Sequence, residues 1–132
     1  ALGGLDILVN NAGIVIAGEF DTLTDDQWEQ IMGVNVRAVF RLPREAVPML
    51  NASGRGRVIN LGSIMSDVAG PGLAIYGTSK HAVAGLTKGM AVDLGKHGIT
   101  VNYLQPGSII TKLSQPIMDD PAFKAYWEQR TR

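Results

Sequence analysis

Tyr76 and Lys80 are the residues of this chain whose types and spacing most directly suggest chemistry. They stand four positions apart, and on a helix this spacing places two side chains on the same face, one turn from each other. A free tyrosine, with a pKa of about 10, is a poor base at neutral pH. A nearby cation favours the phenolate and lowers that pKa toward the range in which proton transfer is efficient. The pair therefore predicts an acid/base device in which Tyr76 exchanges a proton and Lys80 tunes it.

Ser63 is the next candidate, because it follows the apolar run 58–61. A hydroxyl at this point could hold a substrate oxygen beside Tyr76. The Tyr-x-x-x-Lys pattern alone is a weak signal, because most such pairs are solvated or serve packing. The elements that must position these residues therefore decide how much weight the pattern carries.

Composition narrows the class of protein. The chain has 132 residues, 45% of them hydrophobic, which fits one packed domain. The 12 basic and 12 acidic residues form no basic stripe, so no nucleic-acid partner is expected. No apolar run approaches the roughly 20 residues that a membrane helix needs. Cysteine is absent, and His81 and His97 are too few and too distant to suggest zinc. We expect a soluble cytoplasmic protein without a metal site.

The first predicted strand covers residues 6–10 and is followed by a turn of small and polar residues at 10–13, Asn-Asn-Ala-Gly. A run that is apolar on both faces is typical of a buried parallel strand. Open α/β sheets bind ligands at the carboxyl ends of such strands, so this turn could line a site. The alternative is a plain turn in which asparagine adopts left-handed geometry. The residues alone leave both interpretations open.

A helix is predicted to begin after Thr24, which forms a capping box with Gln27. One face of this helix is marked by apolar residues at spacings of three and four, and Asn35 lies within that face. The members of the face are Trp28, Ile31, Met32, Asn35, Val39 and Leu42. Asn35 could brace backbone groups or could bend the helix and hold a water, and the residues alone favour the bracing role. Pro43 and Pro48 are expected to kink or break the later part.

The rest of the chain alternates strands with a long helix. Strands are predicted at 57–61 and 99–104, and a helix from near Tyr76 to about His97, which Gly98 stops. Its sheet-facing stripe is predicted to be Ala82, Leu86, Met90 and Leu94, beside a flat strip at Gly85 and Gly89. Tyr126 and Trp127 are expected to pack inward. The order strand–helix–strand–helix–strand predicts a doubly wound α/β fold, with a parallel sheet and right-handed crossovers.

With these motifs assembled, the chain resembles the short-chain dehydrogenase/reductase family over residues 5–113. The resemblance depends on the complete set of motifs and their order. The set consists of Asn-Asn-Ala-Gly at 10–13, Asn35, Ser63 thirteen residues before Tyr76, Lys80, and Pro-Gly-Ser-Ile-Ile-Thr at 106–111. The family implies an NAD- or NADP-dependent oxidoreductase that interconverts a secondary alcohol and a ketone by hydride transfer.

The resemblance also implies a role for each matching residue. Tyr76 would be the general acid/base, Lys80 would lower its pKa and hold the nicotinamide ribose, and Ser63 would bind the substrate oxygen. Asn35 would hold a water in a proton relay reaching Lys80, which turns the open question about Asn35 toward function. Cofactor contacts would come from Asn11, Ala12 and Gly13 on the adenosine side, from Pro106, Gly107, Ile109 and Thr111 at the nicotinamide, and from Tyr76 and Lys80.

The chain departs from the family pattern by its extent. The family's N-terminal βαβ unit, with its Gly-rich turn and the residue that chooses between NAD and NADP, is not in this sequence, and neither is the last strand. Residues 1–132, which begin on Ala1, are therefore expected to be part of a three-layer Rossmann-like domain that carries the catalytic residues. Two apolar sheet edges would be open. We expect this chain alone to be unstable or inactive and the full-length parent to be active.

Two further functions compete with the dehydrogenase. A noncatalytic binding or scaffold protein of the same fold would have no need for the full set of Asn35, Ser63, Tyr76 and Lys80, although an inactive fragment is conceivable. A dehydratase or epimerase would share Tyr-x-x-x-Lys, but the Asn-Asn-Ala-Gly turn and Asn35 favour simple redox chemistry.

The family also implies a homo-oligomer, a dimer or tetramer, in which the predicted helices 24–50 and 76–97 pack against a second copy. The substrate would be a small molecule with a hydrophobic alcohol or ketone group, because the predicted pocket walls are mostly apolar. These walls are Ile64, Met65, Leu73, Ile75, Ile109, Leu113, Ile117 and Met118. Residues 113–132 would form a mobile lid over the substrate.

Overall fold

The computed structural model describes residues 3–112 and 114–129, apart from the side chain of Ile117. Three strands, β1 (Ile7–Asn10), β2 (Arg57–Leu61) and β3 (Thr100–Leu104), form one sheet in that order. All pairing is parallel, with Asn10 opposite Asn60 and Leu61 opposite Leu104. The parallel α/β sheet predicted from the alternation of strands and helix is confirmed, and its three strands lie where the sequence placed them to within one residue.

The helices follow the strands as expected for crossover connections. They are α1 (Asp25–Met32), α2 (Ala38–Ala52), α3 (Ala74–Gly95), α4 (Gln115–Met118) and α5 (Pro121–Glu128), with a π-helical turn at Gly33–Arg37 between α1 and α2. Short 3₁₀ turns occur at Phe20–Thr22 and Ile64–Ser66. Within the described part of the chain, every helix is too short or too polar to cross a membrane.

The core lies on one face of the sheet. Ala46, Leu50, Val58, Ile99 and Val101 form a buried cluster in which α2 packs on the strands. On the opposite face, alternate strand residues such as Ile7, Val9 and Leu104 are more than half exposed. The described residues thus provide the sheet and one helical layer of a Rossmann-like domain. The strands β1 and β3 each pair only with β2 among these residues, so both outer edges are open, as predicted.

The helical segment from Asp25 to Ala52 confirms the predicted capping box and contradicts a break at the two prolines. Thr24 and Gln27 form the expected capping box. The helix α2 continues through Pro43 and Pro48, so the expected break is wrong. Pro43 is buried on the core face, and this packing offsets the hydrogen bonds that the prolines cannot make.

The predicted apolar face of this segment is correct in its middle and wrong at its ends. Ile31, Asn35 and Val39 are buried, whereas Trp28 and Leu42 are 40% and 53% exposed. The face continues through Pro43 instead of Leu42. Asn35 lies in the π-helical turn, a distortion that is frequent at functional sites.

The helix α3 begins and ends within two residues of its predicted limits, and Gly98, with a φ of 68°, leads the chain into β3. Its most buried line is Ile75, Ser79, Val83 and Thr87. In the stripe predicted to face the sheet, Met90 and Leu94 pack against the buried core cluster, as predicted, whereas Ala82 and Leu86 are half-buried beside the most buried line. The predicted stripe omits the most buried line of α3 because it counts apolar residues alone, whereas Ser79 and Thr87 are buried through hydrogen bonds to other elements.

Candidate active site

Tyr76 and Lys80 lie on the first two turns of α3, at the carboxyl end of the sheet. The Lys80 Nζ atom is 5.7 Å from the centroid of the Tyr76 ring. Lys80 is 6% exposed and donates a hydrogen bond of 2.8 Å to the Leu61 carbonyl at the end of β2. Burial lowers the pKa of the Lys80 ammonium from its ordinary value of 10.5. The helix and the strand together therefore hold this cation beside the tyrosine.

Ser63 begins the 3₁₀ turn that follows β2. Its Oγ atom accepts a hydrogen bond of 3.1 Å from the Met65 amide, and its own amide donates to the Ser66 Oγ atom at 3.2 Å. These reciprocal bonds fix the position of the Ser63 side chain. Because the Ser63 oxygen already accepts a bond, its hydroxyl proton can be donated to a group in the adjacent cavity.

Asn35 is buried, 1% exposed, in the π-helical turn. Its Oδ1 atom accepts from the Ile14 amide at 2.8 Å, and its Nδ2 atom donates to the Ile14 carbonyl at 2.9 Å and to the Ser79 Oγ atom at 3.0 Å. Ser79 in turn donates to the Tyr76 carbonyl at 2.7 Å. Asn35 thus joins the loop after β1 to the turn of α3 that carries Tyr76, which is the bracing role that the residues alone favoured.

Gly13 lies between Asn35 and Lys80. A Cβ atom at Gly13 would stand 3.6 Å from the Asn35 Oδ1 atom and 3.7 Å from the Lys80 Nζ atom. The end of the Asn-Asn-Ala-Gly turn therefore packs directly against both polar groups. A larger side chain at this position would reach between them.

One cavity of about 290 Å³ collects most of the residues that the sequence singled out. Among its lining residues are Asn11, Gly13, Ser63, Tyr76, Lys80, Pro106, Gly107, Ile109 and Thr111. Asn35 lies behind this wall, and Ala12 is exposed and outside the lining. The structure therefore brings the predicted positions together, while their individual roles stay predictions.

A second cavity of about 120 Å³ adjoins the first, and both share Ser63, Tyr76, Gly107 and Ile109. The predicted walls Ile64, Met65, Leu73 and Met118 line it. Ile75 is buried but lies outside both linings. Leu113 and the side chain of Ile117 lie outside the described residues, so their predicted place in the wall stays a prediction. The mobility predicted for residues 113–132 is likewise untested.

The outer wall of this second cavity includes residues that sequence reasoning missed. Phe123 and Trp127 reach it from α5, and Val15 reaches it from the loop after β1. The start of α5 has a sequence signal, which is Asp120 followed by Pro121. In the structure Asp120 caps the helix by accepting a hydrogen bond of 2.8 Å from the Ala122 amide. The family resemblance places residues 113–132 over the substrate, but no local sequence signal singles out Phe123 and Trp127 as the residues that reach the wall.

Tyr126 and Trp127 are half-buried, which confirms that they pack inward. The Tyr126 hydroxyl donates a hydrogen bond of 3.1 Å to the Ala69 carbonyl, in the loop that precedes α3. The Trp127 ring lies 5.4 Å from that of Tyr126, edge to face. These contacts hold α5 against the outer side of the site.

A buried chain of amides and a hydroxyl crosses the sheet below the site. Asn10 on β1 donates to Asn60 on β2 at 2.8 Å, and Asn60 donates to Thr87 on α3 at 2.8 Å. Thr87 donates to the Val83 carbonyl at 2.7 Å. These bonds fix the axial position of α3 on the sheet, where Lys80 meets the Leu61 carbonyl.

The larger cavity fits the nicotinamide–ribose end of a dinucleotide. The Lys80 ammonium has three N–H donors, one of which is engaged with the Leu61 carbonyl, and the Tyr76 hydroxyl lies at the same wall. Donors of this kind suit the hydroxyls of a ribose, and the apolar surface of Pro106 and Ile109 suits the face of a nicotinamide ring.

Comparisons with known proteins agree with this geometry. A family model described as short chain dehydrogenase matches residues 1–122. The chain is 38% identical over 130 residues to the gluconate 5-dehydrogenase of Gluconobacter oxydans (strain 621H), covering 98% of this chain and 51% of that protein. It is 38% identical over 120 residues to the D-beta-hydroxybutyrate dehydrogenase of Rhizobium meliloti (strain 1021), covering 91% of this chain and 46% of that protein.

A solved structure shows the same likeness in three dimensions. The crystal structure of a gluconate 5-dehydrogenase from Burkholderia cenocepacia J2315, in complex with NADP and tartrate, has a TM-score of 0.91 and 40% sequence identity, covering 98% of this chain and 51% of that one. The chain spans about half the length of the curated relatives it matches. On the family match, these likenesses and the arrangement of the site, the chain belongs to the short-chain dehydrogenase family.

Proposed function

We propose that the whole protein is an NAD- or NADP-dependent oxidoreductase that interconverts a secondary alcohol and a ketone. Members of this family use NAD or NADP. The observation that carries the proposal is the meeting of Ser63, Tyr76 and Lys80 at the wall of one cavity, with the Lys80 cation 5.7 Å from the Tyr76 ring centroid. These three side chains supply a hydrogen-bond donor, a proton carrier and a cation at one point.

Two hydroxyls direct the substrate in this proposal. Ser63 donates to the substrate oxygen and holds it beside Tyr76. In the reducing direction the Tyr76 O–H bond breaks as its proton passes to that oxygen. One O–H and one C–H bond form on the substrate and its C=O π bond breaks. When bound, the reduced nicotinamide supplies the hydride from one of its C–H bonds, and the oxidised nicotinamide accepts it in the reverse direction. In the oxidising direction the Tyr76 phenolate takes the proton from the alcohol.

Lys80 stabilises the phenolate that remains when Tyr76 has given up its proton. Its hydrogen bond to the Leu61 carbonyl aims the ammonium, and its other N–H donors suit the hydroxyls of the nicotinamide ribose. Asn35 holds the Ile14 backbone and Ser79, which keeps the loop after β1 and the Tyr76 turn in register. We propose that Asn35 also helps to place a water from which the Tyr76–Lys80 pair is reprotonated.

Assembly of two or more copies is part of the proposal. An apolar groove of about 400 Å³ lies between α2 and α3, and Phe40, Val47, Leu86 and Met90 line it. Gly85 and Gly89 also line it, and a Cβ atom at either would have no neighbour within 4 Å. Such a surface lets a helix of a second copy approach closely. A sedimentation experiment in which the Gly85→Trp protein stays as large as the wild type would contradict this use of the groove.

The proposed location is the cytoplasm. Cell fractionation followed by detection of the whole protein tests this directly, and recovery with membranes or secreted material would contradict it.

The activity is tested by following nicotinamide absorbance with the whole protein, NAD or NADP, and a panel of secondary alcohols and ketones. Cofactor-dependent turnover should fall by about 100-fold or more in Tyr76→Phe, since a general acid/base contributes roughly that much. The matched control is Tyr103→Phe, which removes the same atom from a β3 residue outside both cavity linings. Turnover that survives in Tyr76→Phe would contradict the assignment, and cofactor binding without any turnover would favour the scaffold alternative.

A further inference from the structure

The cavity beside Ser63 and Tyr76 has a lining that restricts the substrate. Among the described residues that line it, none carries a charge or a side-chain amide. Most of its wall is aliphatic, aromatic or thioether surface, including Ile64, Met118, Phe123 and Trp127. A polar group placed against the aliphatic and thioether part of this wall would lose its water without gaining a side-chain partner.

The hydroxyls of the wall are few, and most are already engaged. The Ser114 Oγ atom donates to the Ile109 carbonyl at 2.6 Å and accepts from the Thr111 amide at 2.9 Å. Ser63 and Tyr76 are needed for the single oxygen on the reacting carbon. Ser108 is therefore the main hydroxyl of this lining left to meet a second polar group of the substrate.

Among the described residues, charged side chains line the neighbouring cavities instead, with Lys80 in the cavity assigned to the nicotinamide and others in a cavity farther out. An adjoining cavity of about 350 Å³ shares Ser108, Met118, Phe123 and Trp127 with the inner one. Lys124 and Glu128 line this outer cavity, where their side chains lie 4.0 Å apart as an ion pair. Lys124 thus lies at the mouth, already facing a carboxylate, while Lys80 lines the cavity assigned to the cofactor and not this one.

We infer that the substrate is a secondary alcohol or ketone with uncharged, mainly apolar groups next to the reacting carbon. This inference rests on the proposed function and narrows it. It separates this chain from the relatives named for gluconate and hydroxybutyrate, because those compounds carry a carboxylate and, in gluconate, several hydroxyls. In this cavity such groups would face Met118, Phe123 and Trp127.

A matched pair of ketones tests the inference on the whole protein. Methyl propyl ketone and levulinate have the same five-carbon chain, and levulinate ends in a carboxylate; ketogluconate adds the polyhydroxylated case. We expect kcat/KM for methyl propyl ketone to exceed that for each of the other two by at least about tenfold, because both would bury unpaired polar groups. Equal or better turnover of levulinate or ketogluconate would overturn the inference.

Equilibrium binding separates this inference from the proposed function. Calorimetry of the same three compounds with the cofactor-loaded protein should show the same order of affinity without requiring any turnover. Ordered binding without turnover would support the inference about the wall and count against the proposed function. Tighter binding of the carboxylate would overturn the inference even if hydride transfer were seen.

Placing a charge in the wall gives a third test of the inference, in which a variant should gain preference for a carboxylate substrate. Met118→Lys should raise the ratio of levulinate to methyl propyl ketone, in binding and in kcat/KM, by about tenfold or more, since the new cation would pair with the carboxylate. Met49→Lys is the matched control, because Met49 is 51% exposed on α2 and lies outside the linings of these cavities. An unchanged ratio in Met118→Lys, or an equal change in both variants, would overturn the placement of the substrate against this wall.

Discussion

The candidate site has two sides that are built in different ways. The inner side is the hydrogen-bonded region behind Ser63, Tyr76 and Lys80, and the outer side is the wall that α5 forms. On the inner side, buried side chains from distant parts of the chain bond to each other, as Asn35 does to Ser79 and Asn60 to Thr87. On the outer side, α5 supplies Phe123 and Trp127 through apolar contact. Buried polar bonds demand one geometry, whereas apolar contacts tolerate exchange of volume. The comparison suggests that the inner side holds the chemistry constant while the outer side sets which substrate is accepted.

Removing the charge of Lys80 should produce the largest effect. Lys80→Met keeps the length and apolar stem of the side chain but removes the cation beside Tyr76. We expect kcat/KM to fall by about 100-fold or more for every substrate of the whole protein, since the proton carrier loses its partner. Lys88→Met, at an exposed position of the same helix, is the control. A loss of kcat/KM for one substrate alone would mean that Lys80 affects substrate selectivity and not the proton transfer common to all substrates.

Interrupting the buried series of hydrogen bonds at Asn60 should lower the stability of the protein. Asn60→Leu leaves the Asn10 amide and the Thr87 hydroxyl without their present partner. We expect the free energy of unfolding, measured with urea on the whole protein, to fall by about 2–4 kcal/mol. Asn102→Leu, at an exposed position of β3, should change it by less than about 0.5 kcal/mol. Similar losses in both variants would mean that this chain of bonds does not hold the inner side.

The pH dependence of stability gives a third test of the inner side. Burial lowers the pKa of Lys80 in the folded protein below 10.5, so its charged form opposes folding. As pH rises through the folded-state pKa toward 10.5, the folded protein releases this proton while the unfolded chain still holds it. The free energy of unfolding of the wild type should therefore rise with pH between the folded-state pKa of Lys80 and 10.5. Urea titrations of the wild type and Lys80→Met should converge as pH increases, and a constant difference would contradict the burial of the charge.

Loosening the outer side should have the smallest effect. Tyr126→Phe removes the hydrogen bond to the Ala69 carbonyl and keeps the ring against Trp127. We expect a loss of about 0.5–1.5 kcal/mol in unfolding free energy. In kinetics, KM should rise while kcat stays nearly constant, because α5 lines the cavity proposed for the substrate and supplies none of the proposed proton carriers. A fall in kcat with unchanged KM would show that α5 supports the chemistry as well.

Much of the fold could be predicted because local signals and periodicity agree. The run 57–61 is rich in Val, Ile and Leu, and the Thr24–Gln27 capping box marks a helix start, so both elements lie where expected. The errors share one cause, which is tertiary packing that overrides a local rule. Pro43 remains helical because it is buried on the core face of α2, and hydrogen bonding to Asn60 allows Thr87 to be buried.

The residues on the inner side of the site could be predicted from the sequence, whereas those on the outer side could not. Tyr76, Lys80 and Ser63 follow from residue types and from spacing within one stretch of chain, and the structure gathers them at one cavity. Phe123 reaches the neighbouring cavity only because α5 folds back over Ser63 and Tyr76. That return depends on long-range contacts, such as the Tyr126–Ala69 bond between residues 57 positions apart, for which no local pattern exists.

The measurement that tests the comparison most directly is substrate selectivity in one variant from each side. The ratio of kcat/KM for methyl propyl ketone to that for a bulkier phenyl ketone would be determined for the whole protein, Ser79→Ala and Phe123→Ala. We predict that Ser79→Ala lowers both values in parallel, and that Phe123→Ala shifts the ratio toward the bulkier ketone by about tenfold. A ratio that changes in Ser79→Ala and stays constant in Phe123→Ala would contradict the division of the site into an inner side for chemistry and an outer side for selectivity.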